Sequence, residues 1–271
     1  MEQQKTYSLK TAIALLFVFA FALVAATRLV TPLLARFQAT LLPDTGAAWY
    51  YWKLPHPELW ATVSMWVLYL AHQFAVWALI VRLKTQPRLP EGRIGRYNLL
   101  LLVVNAVFVV LHLAQTALFY DGLAQYVPVW SSQFSVIVML VLMLILLNNR
   151  RGLFFGKKVS LPLLGVSTTQ KVHGFYIAWA VVYTFWFHPM EGTLGHLLGF
   201  FYLILLLGQL SLARTSWHTK IGWLTFLEAF VALHGAVVAI LAENGMWPMF
   251  FFGFLMMFIV TQVYGILKNR I

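Results

Sequence analysis

Histidine binds metals and exchanges protons near neutral pH. This chain carries eight, of which His72, His112, His196 and His234 fall inside long apolar stretches. An ionisable group in the hydrocarbon of a bilayer costs roughly 3 kcal/mol even on a lenient scale, so each of the four is a functional candidate by default. Depth follows from the helical rise of about 1.5 Å per residue. His112 and His234 each precede the outer end of their stretch by about 8 residues, which places both roughly 12 Å below the surface. His196 is shallower and His72 lies nearer the midplane. His56 and His188 fall at the outer boundary, His173 and His218 at the inner one.

Two carboxylates join them as candidate catalytic groups. Glu228 falls near the middle of an apolar stretch, where it is either a hydrogen-bonded structural carboxyl or a proton relay. Glu191 belongs to the segment HPMEGTLGH, which sets His188, Glu191 and His196 at intervals of three and five residues across a Pro/Gly turn. Imidazole and carboxylate together suit iron, copper or zinc, and His188, His196, His112 and His234 are the candidate ligands beside Glu191. The segment does not match the HxxxH and HxxHH boxes of membrane desaturases and hydroxylases, and HExxH is absent. No GxSxG elbow supports a serine hydrolase. No lysine lies within a span to hold a retinal.

The elements that must position these groups are membrane helices. The chain is 61% hydrophobic and 10% charged, with a mean hydropathy of +0.80, against about 25% charged residues in a soluble domain. Apolar windows of about 20 residues, enough to cross the bilayer core, recur near 11–31, 59–81, 97–119, 129–147, 172–187, 193–213, 221–242 and 247–267. Lys5, Lys10 and the Val24–Ala26 run imitate a signal peptide, but the segment is read as the first span. The expectation is an all-α, single-domain bundle of eight transmembrane helices.

Charge tests that count independently, because Lys and Arg stay on the cytoplasmic side. With both termini cytoplasmic, all of the 19 basic residues except Arg28, Arg36 and Lys53 lie inside, while Asp44, Glu58, Asp121, Glu191 and Glu243 face out. The setting is a bacterial-type inner membrane or a plasma membrane. The net charge of +11 is thereby explained by topology, and its dispersal over short loops excludes nucleic-acid binding. Pro32–Leu42 is expected to lie flat on the outer leaflet, and Trp49, Tyr50, Tyr51 and Trp52 to anchor at the headgroups. Zero cysteines exclude disulfides, iron–sulfur clusters and haem–thiolate chemistry. No internal repeat favours a secondary transporter.

Within the spans, polar residues recur on helical faces. Asn98, Asn105 and His112 follow every seven residues, with Gln115 three further on, while His218, Thr225 and Glu228 form a second stripe. Interhelical hydrogen bonding is the plain alternative to function for such stripes. Gly192, Gly195, Gly199 and Gly208 admit close approach of another helix or of a flat ligand. His173, Tyr176, Trp179, Tyr183, Thr184 and Trp186 line the fifth span.

Two histidine pairs, His173 with His188 and His218 with His234, are separated by 15 and 16 residues. By that spacing alone the chain resembles the cytochrome b and b561 bundles, in which histidines about 14 residues apart serve stacked haems. The resemblance implies haem b between facing helices. Fifteen residues leave the first pair about 60° apart in azimuth, but sixteen leave the second about 160° apart, so an axial role carries over only to His112 and His234, with His72 and His196 as substitutes. The expectation is a membrane redox protein binding haem b or another metal in its outer half. The alternatives are a histidine–metal enzyme acting on a lipid, a quinone or another apolar substrate, and a non-catalytic transporter or subunit of a larger membrane complex.

Overall fold

The structure is a computed structural model that describes residues 5–37, 40–41, 52–54, 56–87, 89–128, 130–153, 156–160, 166–241, 245 and 247–267. Trp49, Tyr50, Tyr51, Asp44, Glu243, Arg88, Lys268 and Arg270 lie outside them. Among the described residues the chain forms eight α-helices: α1 Leu9–Val30, α2 Leu59–Lys84, α3 Arg96–Phe119, α4 Trp130–Arg151, α5 Val166–Phe187, α6 Leu194–Ser211, α7 Ile221–Leu241 and α8 Trp247–Leu267. Each coincides with one of the expected windows. Six are long and apolar enough to cross a membrane: α1 with its continuation to Arg36, α2, α3, α4, α6 and α7. The helix α5 opens instead on the polar run Val166–Lys171, and the described apolar part of α8, Trp247–Val263, is shorter.

The helices do not share the core equally. From Ala178 onwards α5 is buried almost all round, with Ala178, Val182, Phe185 and Trp186 at zero exposure, as an element surrounded by others must be. It touches α2, α4 and α6, while α6 touches α1, α3, α5 and α7. The helix α8 packs chiefly on α7 and α4 chiefly on α5. Leu15, Val18, Phe21, Val67, Phe74, Val107 and Leu233 are exposed on the outside, a surface that lipid, not water, solvates.

Two small ribbons depart from the all-helical expectation. β1 (Thr6–Ser8) pairs antiparallel with β4 (Arg93–Gly95), and β2 (Thr40–Leu41) with β3 (Trp52–Lys53). The first ties the start of α1 to the start of α3, with the Arg93 guanidinium donating to the Thr6 hydroxyl at 3.0 Å. The expected flat-lying segment is also corrected in its described part. Thr31–Arg36 is a 3-10 turn continuing α1, with Leu34 buried against protein. The Arg36 guanidinium donates to the carbonyl of Ala117 at 2.5 Å, which caps an orphan acceptor at the end of α3.

At this end, the one the charge pattern leads one to expect outside, two loops clasp each other. Tyr120 takes the left-handed conformation (φ 49) and stops α3, its N–H donating to the Thr116 carbonyl at 2.8 Å. The turn continues as Gly122 N–H donates to the side chain of the preceding residue, Asp121 Oδ1, at 2.8 Å. A side chain at Gly122 would meet the Phe187 carbonyl oxygen at 2.7 Å, so glycine is what lets residues 120–122 approach the end of α5. Met190 N–H donates to Thr116 Oγ1 at 2.9 Å, and Gly192 fits against Thr31 of the α1 extension. Gly122→Ala must push two backbones apart and should cost about 1–3 kcal/mol, read as a lowered unfolding midpoint in detergent. Gly222→Ala, with nothing within 4 Å of the added carbon, should leave it unchanged.

Candidate functional site

A chain of hydrogen bonds begins at Trp186, whose indole N–H is fully buried and must find an acceptor. It donates to His72 Nδ1 at 3.0 Å. The proton of His72 therefore sits on Nε2, which donates to Asn105 Oδ1 at 2.8 Å. Asn105 Nδ2 donates to Ser211 Oγ at 2.9 Å, and that hydroxyl donates to the Leu207 carbonyl at 2.8 Å. Four helices, α5, α2, α3 and α6, are joined by one relay. The His72 ring stacks on Phe108 at 4.6 Å. Both of its nitrogens are hydrogen-bonded, so neither is available to a cofactor.

The same stripe on α3 supplies the neighbouring contacts. Asn98 Nδ2 donates to the carbonyls of Ser211 at 2.7 Å and Ala213 at 2.8 Å. His112 lies on the other side of Trp186, ring centres 4.3 Å apart, closed in by Phe185 and Phe200. Its Nε2 donates to the His188 carbonyl at 2.9 Å. Most of the stripe thus acts as interhelical bonding, and His112 carries it up to the outer loops.

There the clasp assembles a second group. Glu191 Oε2 accepts the Tyr120 hydroxyl at 2.5 Å, and Oε1 stands 2.9 Å from His196 Nδ1. Thr193 caps α6: its hydroxyl accepts the His196 backbone N–H at 3.3 Å and lies 2.7 Å from His196 Nδ1. The rings of His188 and His196 are 5.6 Å apart and nearly perpendicular. The His196 side chain is 31% exposed and that of Glu191 20%, so this group reaches the boundary, whereas His72 and His112 are sealed.

Electrostatics follows from the same neighbours. Burial works to raise the Glu191 carboxyl, but His196 and the Tyr120 hydroxyl outweigh it and hold the group below the usual carboxylate range. Burial, reinforced by the Glu191 charge, pushes the Tyr120 hydroxyl up and keeps it a donor. Burial and the nearby His196 pull His188 down to about 3. Beneath them Asp121, with no exposed surface, is pushed up by burial to about 6. It accepts the Tyr126 hydroxyl at 2.6 Å, and the Thr62 hydroxyl stands 2.7 Å from that oxygen.

The other expected site residues fall elsewhere. His234 Nε2 donates to the Gly195 carbonyl at 3.2 Å, and a side chain at Gly199 would meet that nitrogen at 3.1 Å. The Gly195–Gly199 face is thus occupied by α7. Haem b between His112 and His234 draws no support from this packing, because the Nε2 of each donates to a backbone carbonyl. His218 Nδ1 donates to the Gln209 carbonyl at 3.0 Å at the inner end. Glu228 sits at the α7–α8 contact, accepting from Thr261 Oγ1 at 2.9 Å and from Gln262. Among the described residues no three His, Asp or Glu side chains stand ready around one metal position.

Sequence reasoning missed Tyr120, Asp121 and the role of Trp186. The Tyr-Asp-Gly turn after an apolar run was the available signal for the first two. Comparison with family models, curated proteins and solved structures finds no match.

The His188 shift predicts a pH dependence of stability. An unfolded imidazole takes up a proton near 6.5 and the folded one near 3, so this group removes stability as pH falls through that window. Asp121 acts oppositely, removing stability as pH rises from 3.8 to about 6, and Glu191 contributes stability that is lost as pH falls from its ordinary 4.5 through its lowered value. His188→Gln should therefore lose less melting temperature between about pH 7 and about pH 5 than the native chain, as read by thermal unfolding in detergent.

Proposed function

We propose that the protein is a multi-pass membrane enzyme whose eight helices cross an inner or plasma membrane of bacterial type with both termini cytoplasmic, and whose outer-end dyad of Glu191 and His196 handles a proton on an amphiphilic substrate. The observation that carries this reading is the double acceptance by Glu191. Tyr120 fixes one carboxylate oxygen and His196 Nδ1 stands 2.9 Å from the other; with its proton on Nδ1 toward that oxygen, His196 presents Nε2 as the acceptor. An imidazole held in one tautomer by a carboxylate is a prepared general base.

Position selects the substrate class. The dyad stands where the helices end and is partly exposed, while the flanks of the bundle are apolar. A lipid brings its polar head to that level and leaves its chains in the bilayer. His196 Nε2 then takes the proton of a hydroxyl or water held against the head. Untargeted lipid mass spectrometry of cells making the native chain or His196→Ala, at equal membrane abundance, tests this. A lipid class whose turnover falls by roughly 10²-fold in the variant is expected. Identical lipid profiles overturn the reading.

One distance favours a second reading. A metal–nitrogen bond of about 2.1 Å sets two imidazole centres on one ion roughly 5–6 Å apart, and His188 and His196 stand at 5.6 Å. With Glu191, although the three do not stand ready around one position, they would supply the two-histidine, one-carboxylate set that suits iron or zinc. Stoichiometric metal that disappears in His188→Gln supports this version, and fully active metal-free protein overturns it.

A further inference from the structure

Glu228 belongs neither to the outer dyad nor to the Trp186 relay. It lines a cleft where α4, α7 and α8 meet, together with Tyr202, Met143, Met257, Phe254 and Phe258. The helix α4 leans chiefly on α5 and α8 on α7, and the two touch each other only slightly. Val141 of α4 and Met256 of α8, on the flanks, are exposed to lipid. A carboxyl group half-buried in an apolar bundle is retained at a cost. Thr261 and Gln262 orient it, and the cleft brings it within reach of a molecule arriving from the bilayer.

We propose that this cleft is a binding site for a lipid-soluble quinol or phenol, whose ring hydroxyl donates to Glu228 and whose apolar tail leaves between α4 and α8. Three features select that class. The carboxylate at the floor is an acceptor, which excludes acidic heads. The walls combine three methionines and three aromatic rings with five aliphatic side chains, and thioether sulfur and ring faces both suit a flat conjugated ring. Depth excludes ordinary lipids. Glu228 lies seven residues into α7 from Ile221, about 10 Å along the axis, and a phospholipid or fatty alcohol keeps its polar group at the boundary, whereas a quinol carries its ring into the hydrocarbon. The site stands independently of the outer dyad.

Methyl-13C methionine spectra of the protein in nanodiscs, with Met143 and Met257 assigned by Met→Leu exchange, test it. Decylubiquinol should shift both resonances saturably, and decane and decanoic acid should not. Glu228→Gln, which keeps an acceptor oxygen, should bind within a few-fold of the native chain, and Glu228→Leu should weaken binding by roughly tenfold or more. Absence of a saturable shift overturns the proposal. So does an equal shift with decane, a comparison that needs no variant, and so does unchanged affinity in a folded Glu228→Leu protein.

Discussion

An indole N–H with no water to bond forces the arrangement of the whole outer half. Trp186 is fully buried, and an unsatisfied donor in such surroundings costs about 1–3 kcal/mol. The acceptor it finds is His72 Nδ1, and this choice fixes the His72 tautomer, then the amide orientation of Asn105, then the Ser211 hydroxyl. The relay holds α2, α3, α5 and α6 in one register. In a bilayer, apolar burial gives helices little reason to prefer one neighbour over another. Directional bonds of this kind supply the specificity.

From that register the outer site follows. With α3 and α5 joined through α2 and α6, their ends stand close enough for Gly122 to pass under the Phe187 carbonyl and for His112 to donate to the His188 carbonyl. The loops leaving those ends then carry Tyr120 and Glu191 to one another. The dyad is thus set by backbone closure and capping, Thr193 starting α6 one turn ahead of His196. Rigid elements beneath and short loops above are the arrangement in which a proton-transferring pair keeps its geometry.

The eight helices were legible in the sequence because hydrocarbon thickness sets a length that composition reveals window by window, and every helix coincides with an expected window. The polar stripe on α3 was equally legible, since a period of seven needs no partner to be seen. What a stripe faces is not written in its own spacing. His72 and Asn105 meet across α2 and α3, and Gly195 and Gly199 receive the His234 ring rather than a flat ligand, both outcomes of helix order around the bundle. Equal depth for His112 and His234 likewise says nothing of azimuth. Tyr120 stayed hidden because its role depends on a left-handed backbone, and the short ribbons because two or three paired residues leave no periodic trace.

On the proposed function, two histidines are held in opposite tautomers, His72 to bind the bundle and His196 to accept a proton. Nitrogen-15 spectra of histidine-labelled protein in lipid bilayers, assigned through His72→Asn and His196→Asn, read this directly. The account predicts His72 protonated on Nε2 with an acceptor Nδ1, and His196 protonated on Nδ1 with a bare Nε2. A His196 ring protonated on Nε2, or a His72 ring protonated on Nδ1, would contradict it.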